Sequence, residues 1–402
     1  MHFALDDDQK ALQDAVRSYL RDRFDLEKVR EVYDDPQGDG DPAELWKAVS
    51  EQGWLAVLVP EEHDGVGLGL IAAAVIARAL GAGTVPGPWL GTVLAGEAVR
   101  LAGSDAQKQD WLPRLAAGEV KGAVALVKPG SSPEPRYAPA TSSDGRLSGQ
   151  LQIVEYAGQA DVLVVAASSQ EGAGLYLVDP KGEGVSLTRR SALDRTTRTY
   201  TVDLDGAPGT RLENSSDDAL QELLDRAAVL AANDLVGIAR KALSDTVQYD
   251  KDRVQFGRPV GSFQAIKHNL ADLHVAVTMA EHASLYAAYA VDTGADDARL
   301  AVSIAKAKAG DTARRAVSDM IQYHGGIGFT WEHHAHFYFK RAKRLEYAFG
   351  DAAQHRERIA QLLIDRGAGD ASLGEGGADG GQTTVGAATA AQGTGVAAGA
   401  TA

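Results

Sequence analysis

Along residues 5–119 apolar side chains recur three and four positions apart, as at Leu12, Val16, Tyr19 and Leu20 and again at Leu45, Trp46 and Val49. That spacing puts them on one face of a helix, so the block is predicted to be helical. Two breaks interrupt it. Val59-Pro60-Glu61-Glu62-His63-Asp64-Gly65-Val66-Gly67 predicts a loop, and the run around Trp111 predicts a short helix that stops at Pro113. From 120 to 214 the pattern becomes short β-branched runs, Val162-Leu163-Val164-Val165, Leu175-Tyr176-Leu177-Val178 and Tyr200-Thr201-Val202-Asp203-Leu204, separated by Gly, Pro, Ser and Asp. These predict a small, mostly antiparallel β-domain. Helical spacing returns over 215–366 in at least four long segments, and an antiparallel bundle is the simplest way to bury their apolar faces. The chain reads as α+β, mainly α, with a helical domain at 1–119, a β-domain at 120–214 and a helical bundle at 215–366.

Composition changes this picture at one end only. Residues 367–402 hold 11 of the 44 glycines, no Lys or Arg and no aromatic residue. They have too little apolar surface to offset chain entropy and are expected to form a disordered tail. Elsewhere, 45% hydrophobic and 24% charged residues in a chain of 402 match a globular protein. The apolar run at 70–80 is too short for a membrane span and contains Arg78. The first residues are acidic rather than basic and then apolar, so a cytoplasmic protein is expected. With no Cys, disulfides, thiolate nucleophiles and Fe–S clusters are excluded. A net charge of −15 opposes nucleic-acid binding.

Two motifs in the third block carry chemistry. Arg253-Val254-Gln255-Phe256-Gly257-Arg258-Pro259-Val260, followed by Phe263-Gln264, offers a guanidinium fork suited to a pyrophosphate and an apolar wall at Phe256. Gln322-Tyr323-His324-Gly325-Gly326-Ile327-Gly328-Phe329-Thr330 removes side chains where a helix ends, letting amides approach a phosphate or ribose. A dinucleotide is the ligand that both motifs suit. With Val59-Pro60-Glu61-Glu62 and Gln107-Lys108-Gln109-Asp110-Trp111-Leu112-Pro113, and in the order helices, β-domain, bundle, these motifs resemble the acyl-CoA dehydrogenase family.

The resemblance implies FAD in a tetramer, with Arg253, Gln255, Phe256, Gln322, Gly325 and Gly326 reaching a flavin whose ring lies mainly in the neighbouring subunit. It implies α,β-desaturation of an acyl-CoA, in which a carboxylate removes the Cα proton, the Cβ hydride goes to the flavin and electrons leave through an electron-transfer flavoprotein. The usual base is a Glu followed by Gly and Thr. Here Phe349 stands at that position, and Ala227 at the alternative seat on the first bundle helix. Neither accepts a proton. The family's Thr-Glu-Pro-Gly run is matched by Val127-Lys128-Pro129-Gly130, and its flavin-covering Trp-Ile-Thr by Ile153-Val154-Glu155. Features that reach a neighbour's flavin are kept while those serving the chain's own ring are lost.

That pattern is similar to heteromeric actinobacterial members, in which a Glu-bearing paralogue completes the enzyme. The alternatives are a homotetramer with a substitute base, Asp351 or Asp225; a non-catalytic acyl-CoA-binding or scaffolding relative; and a flavin monooxygenase on the same fold. Glu332, His333, His334 and His336 read as a solvated helix start rather than a metal site. His324 reads as a packed residue beside the glycine turn. Lys340, Arg341, Lys343 and Arg344 read as a solvated basic face.

Overall fold

The computed structural model describes residues 5–365, so the expected tail at 367–402 lies outside the described residues. Six helices come first: α1 (Asp7–Arg23), α2 (Leu26–Asp34), α3 (Ala43–Glu51), α4 (Gly69–Ala82), α5 (Trp89–Ala102) and α6 (Asp105–Ala116). Capping boxes start α1 at Asp6 and α6 at Ser104. The helix around Trp111 does not stop at Pro113 but continues to Ala116. The proline ring removes one amide, and the carbonyl left without that donor belongs to Gln109, an exposed residue that water can serve. The apolar run at 70–80 is the centre of α4, buried on all sides. Its Arg78 is neutralised by Glu281 at 2.7 Å and accepted by Asn233 at 2.7 Å. No helix among the described residues is long and apolar enough to cross a membrane.

The sheet contains β1 (Gly122–Ala125), β2 (Ala140–Ser143), β3 (Arg146–Glu155), β4 (Val162–Ser169), β5 (Gly172–Val178), β6 (Val185–Arg190), β7 (Thr199–Pro208) and β8 (Thr210–Arg211). Its order is β6-β7-β3-β2-β4-β5-β8, with β1 beside β4. β4 pairs in parallel with β1 and β2, and the remaining pairs are antiparallel. Continuous apolar runs at β4 and β5 follow from burial on both faces. Val164, Ala166, Leu175 and Leu177 join the helical core, whereas Leu163, Val165, Tyr176 and Val178 join the core of the sheet.

The third block is built on α7 (Asp217–Asp252), whose end leads into a hairpin of β9 (Val254–Gln255) and β10 (Arg258–Pro259). After it come α8 (Gln264–Thr293), α9 (Ala298–His324), α10 (Ala335–Tyr347) and α11 (Ala352–Ala360). α4 lies against α7 through small residues. A Cβ added at Gly237 would fall 2.0 Å from the carbonyl oxygen of Arg78, and one at Gly81 2.2 Å from that of Asp234. Gly237→Ala is therefore expected to destabilise the protein by about 1–3 kcal/mol through overpacking against backbone. Gly96→Ala, in α5 with nothing within 4 Å of the new methyl group, is expected to leave stability unchanged or raise it. Urea denaturation of the two variants beside the parent checks both.

Candidate functional site

Loops from all three blocks meet around a cavity of about 280 Å³. Leu90 and Leu94 of α5 form its floor, and the segment from Leu126 to Ser131 after β1 forms one wall. Gln152, Ile153 and Glu155 of β3 face Leu345, Tyr347, Phe349 and Gly350 at the end of α10. A second, more open cleft of about 780 Å³ adjoins it through Gln152, Ile153, Arg344 and Tyr347. Two lining residues other than glycine hold left-handed backbone, Ile153 with φ 57° and Phe349 with φ 54°. Ile153 sits where the register between β3 and β7 slips between Leu151 and Val154. Positive φ in a β-branched residue is costly and is maintained only where the surroundings impose it.

Glu155 is the one carboxylate among the residues lining the cavity. It is ion-paired with Arg344, whose Nε also donates to Asp194 at 2.8 Å. Burial alone would raise the Asp194 carboxyl. The guanidiniums of Arg344 and Arg341 and the Thr196 hydroxyl outweigh it, so the group is held below the usual carboxylate range. The reading of 340–344 as a solvated basic face is therefore corrected. Arg341 is buried and Arg344 half-buried, Arg341 grips Asp234 at 2.6 and 3.1 Å, and Lys343 reaches Glu346 at 3.1 Å. α10 is packed between α7, α9 and the loop before β7, so Arg341, Lys343 and Arg344 meet carboxylates, while Lys340 donates to the Tyr33 hydroxyl.

Phe349 lines the cavity where the base was sought, but Ala227 does not. Ala227 is fully buried in the core around α7. Asp225 is also buried, and it accepts from both terminal nitrogens of Arg358 at 2.6 and 3.1 Å and from Gln221 at 3.2 Å. Asp351 caps α11, accepting from the Gln354 amide at 2.8 Å. Neither substitute carboxylate lines the cavity.

The two bundle motifs meet at the other end of α10. Tyr249 near the end of α7 stacks on His324 at the end of α9, with ring centroids 4.3 Å apart. This stack sets the spacing of Arg253 and Gly325, each no more than one helical turn away. His324 is packed as expected, its Nδ1 2.7 Å from the Met320 oxygen, and burial lowers its pKa. Phe256 and Gly257 turn the hairpin with φ 53° and 77°, the demand of a type I′ turn. Phe256 is thereby left 92% exposed. Arg253, Gln255 and Gln322 are exposed as well. A Cβ at Gly325 or Gly326 would meet nothing within 4 Å, so this backbone is open to a ligand. α10 has 13 residues, a helix about 20 Å long. It lies in the chain between the glycine turn and Phe349.

The histidines before α10 are not a solvated start either. His333 and His334 stack at 4.7 Å, Trp331 and His336 at 4.7 Å, and burial lowers the pKa of His333 and His336 to about 4. No group of three or more His, Asp or Glu that could hold a metal occurs among the described residues.

Models of two domains match: "Acyl-CoA dehydrogenase, N-terminal domain" over residues 6–119 and "Acyl-CoA dehydrogenase, C-terminal domain" over 218–364. The chain is 32% identical over 356 residues to the acyl-CoA dehydrogenase IpdE2 of Mycolicibacterium smegmatis, covering 88% of this chain and 98% of that protein. It belongs to the acyl-CoA dehydrogenase family. Among solved structures, the Tcur3481-Tcur3483 steroid ACAD superposes with a TM-score of 0.82 at 30% identity, covering 90% of this chain and 99% of that one. The ChsE4-ChsE5 complex from Mycobacterium tuberculosis does so with a TM-score of 0.82 at 27% identity, again over 90% and 99%.

Within the family frame, sequence reasoning missed the Glu155–Arg344–Asp194 cluster. Glu155 and Arg344 stood in different blocks, and no local pattern joins them. The structural role of Asp225 leads to a prediction. Asp225→Asn leaves the Arg358 guanidinium buried without its counter-charge and is expected to cost about 3–5 kcal/mol. Chemical denaturation measures the loss, and a change within 0.5 kcal/mol or so, the scatter of ordinary surface substitutions, would return Asp225 to the list of free carboxylates.

Proposed function

We propose that this chain is the subunit without a base in a heteromeric acyl-CoA dehydrogenase, and that its bundle completes the FAD site of a Glu-bearing paralogue. The observation that carries the reading is that Phe349, which the resemblance puts at the base position, lines the cavity while Asp351 and Asp225 are held in structural roles. The substrate class is an acyl-CoA thioester with a bulky or steroid-derived acyl group. The names of the similar steroid ACAD and of the ChsE4-ChsE5 complex support both the heteromer and this class.

The cofactor is FAD, which when bound accepts the Cβ hydride. The residues at the hairpin and glycine turn fit its ADP half: Arg253 supplies a fork of donors, Gln255 and Gln322 supply amides, and the backbone at Gly325 and Gly326 is open. A flavin ring laid on β3 of this chain would meet the Glu155–Arg344 pair instead of an aromatic cover and a hydroxyl, and it fits poorly. The chain's own part is then to bind and orient the partner's cofactor, with the exposed Phe256 as an apolar contact. The Cα proton goes to the partner's Glu. Electrons pass on to an electron-transfer flavoprotein, and the complex works in the cytoplasm. A self-sufficient homotetramer is the second reading, and Glu155 is the carboxylate that would serve it, because it alone lines the cavity.

Anaerobic mixing with acyl-CoA separates the two. The chain alone is expected to reduce flavin negligibly and the mixed complex to reduce it rapidly, since a positioned base contributes about 10²–10⁴-fold. Rapid reduction by the chain alone, abolished in Glu155→Gln, would establish the second reading. In the complex, Arg253→Ala is expected to weaken flavin retention by about 1.5–3 kcal/mol, the worth of one charge-assisted contact. Bound flavin after dilution and gel filtration is the readout.

A further inference from the structure

We propose that Lys306 is the positioning residue for the cavity wall formed by Phe349 and Gly350, gripping that loop from behind through its backbone carbonyls. Lys306 lies in α9 and is 1% exposed. Its Nζ donates to the carbonyl oxygens of Glu346 at 3.1 Å and Gly350 at 2.7 Å. His355 of α11, fully buried, places its Nε2 2.9 Å from the Phe349 oxygen. The carbonyls of 346, 349 and 350 therefore all turn inward onto two side chains. The last carbonyls of a helix have no partner within it and usually turn to water or to a glycine cap. At the end of α10 a buried amine takes that place.

The loop has little freedom to settle elsewhere. Gly350 has φ 93°, and a Cβ there would stand 2.8 Å from His355 Nε2 and 2.9 Å from Pro133 Cδ. Across the cavity, Gln354 of α11 donates to the Gly130 oxygen at 2.7 Å and Gln221 of α7 to that of Pro133 at 3.1 Å, so both walls are tied to α11. A methionine would fill the space of the Lys306 stem. Only the amine explains the inward carbonyls of Glu346 and Gly350.

The ionisable groups acting on Lys306 are Asp351 before α11 and Glu346 at the end of α10, and it acts in turn on His355. Glu346 is already shared with Lys343 at 3.1 Å and Arg314 at 3.7 Å. Burial outweighs the two carboxylates and lowers the Lys306 pKa to about 7, while burial and the lysine lower His355 to about 3. In an opened loop the amine returns to water and to an ordinary pKa of about 10.4. The open form then binds one more proton than the closed form between those two values. The closed loop is thus most favoured at high pH, loses ground as pH falls toward 7, and changes no further below it.

Hydrogen exchange of the full chain tests this at the amides of Ala348, bonded to Leu345 at 3.2 Å, and Asp351, bonded to Gln354 at 2.9 Å. After correction for intrinsic rates, their opening constant is expected to rise about tenfold per unit as pH falls from 9 to 7 and then to level off. Lys306→Met is expected to open the loop further, remove the slope and leave the amides of α7 unchanged. A flat profile in the parent protein overturns the proposal, and it needs no variant to fold. A Lys306→Met protein that keeps the parent profile overturns it equally. Because the measurement uses neither flavin nor partner, its outcome is independent of the heteromer reading.

Discussion

Arg344 is held, largely out of water, between Glu155 of β3 and Asp194 of the loop before β7, and the seating of the sheet against the helices depends on this contact. A guanidinium removed from water is tolerated only where opposite charge and hydrogen bonds replace its hydration. The cluster therefore tolerates little sliding of the β-domain along α10. One turn earlier, Arg341 makes the same kind of contact with Asp234 of α7 and with the Val85 carbonyl, so α10 is pinned to all three blocks by charge as well as by apolar packing. Such pairs stabilise less than apolar residues of equal volume would, but removing one partner is costly. Their effect here is to set orientation.

That orientation decides what the cavity can do. With α10 fixed, its last turn delivers Phe349 to the space between β1, β3 and α5, and the carbonyls behind it turn away from the cavity toward Lys306 and His355. The cavity is apolar over most of its wall and offers a single carboxylate that is already paired. Before the start of α10, the hairpin and the glycine turn present open backbone and the exposed Phe256. One helix thus runs between an apolar cavity whose carboxylate is paired and a surface of open backbone and exposed side chains.

Most of the architecture was legible from periodicity. Helical spacing at Leu12, Val16, Tyr19 and Leu20 and the β-branched runs of β4 and β5 reflect local preference and burial, both of which a linear pattern records. The exception at Pro113 is also local, since the carbonyl it leaves unpaired is exposed and the cost of continuing the helix is small. The motifs at Arg253 and Gly325 were legible because turn chemistry is written in adjacent residues: a hairpin of two positive-φ positions and a helix ended by glycine.

By itself the sequence determined the order of helices, sheet and bundle, the family resemblance, and the chemical identity of Phe349 and Ala227, where the resemblance leads one to look for a base. Those are properties of single residues and short spacings. Only the tertiary structure decided which charges are free. Lys340 to Arg344 look like a solvated basic run, and Asp225 looks like an available base, until α10 and α7 are packed and Arg344 meets Glu155 and Asp194 while Arg358 meets Asp225. A charged side chain's role depends on whether its partner comes from 100 or more positions away in the chain, as with Asp225 and Arg358, which are 133 apart. Pairing and burial at that range are properties of the fold, and no local spacing encodes them.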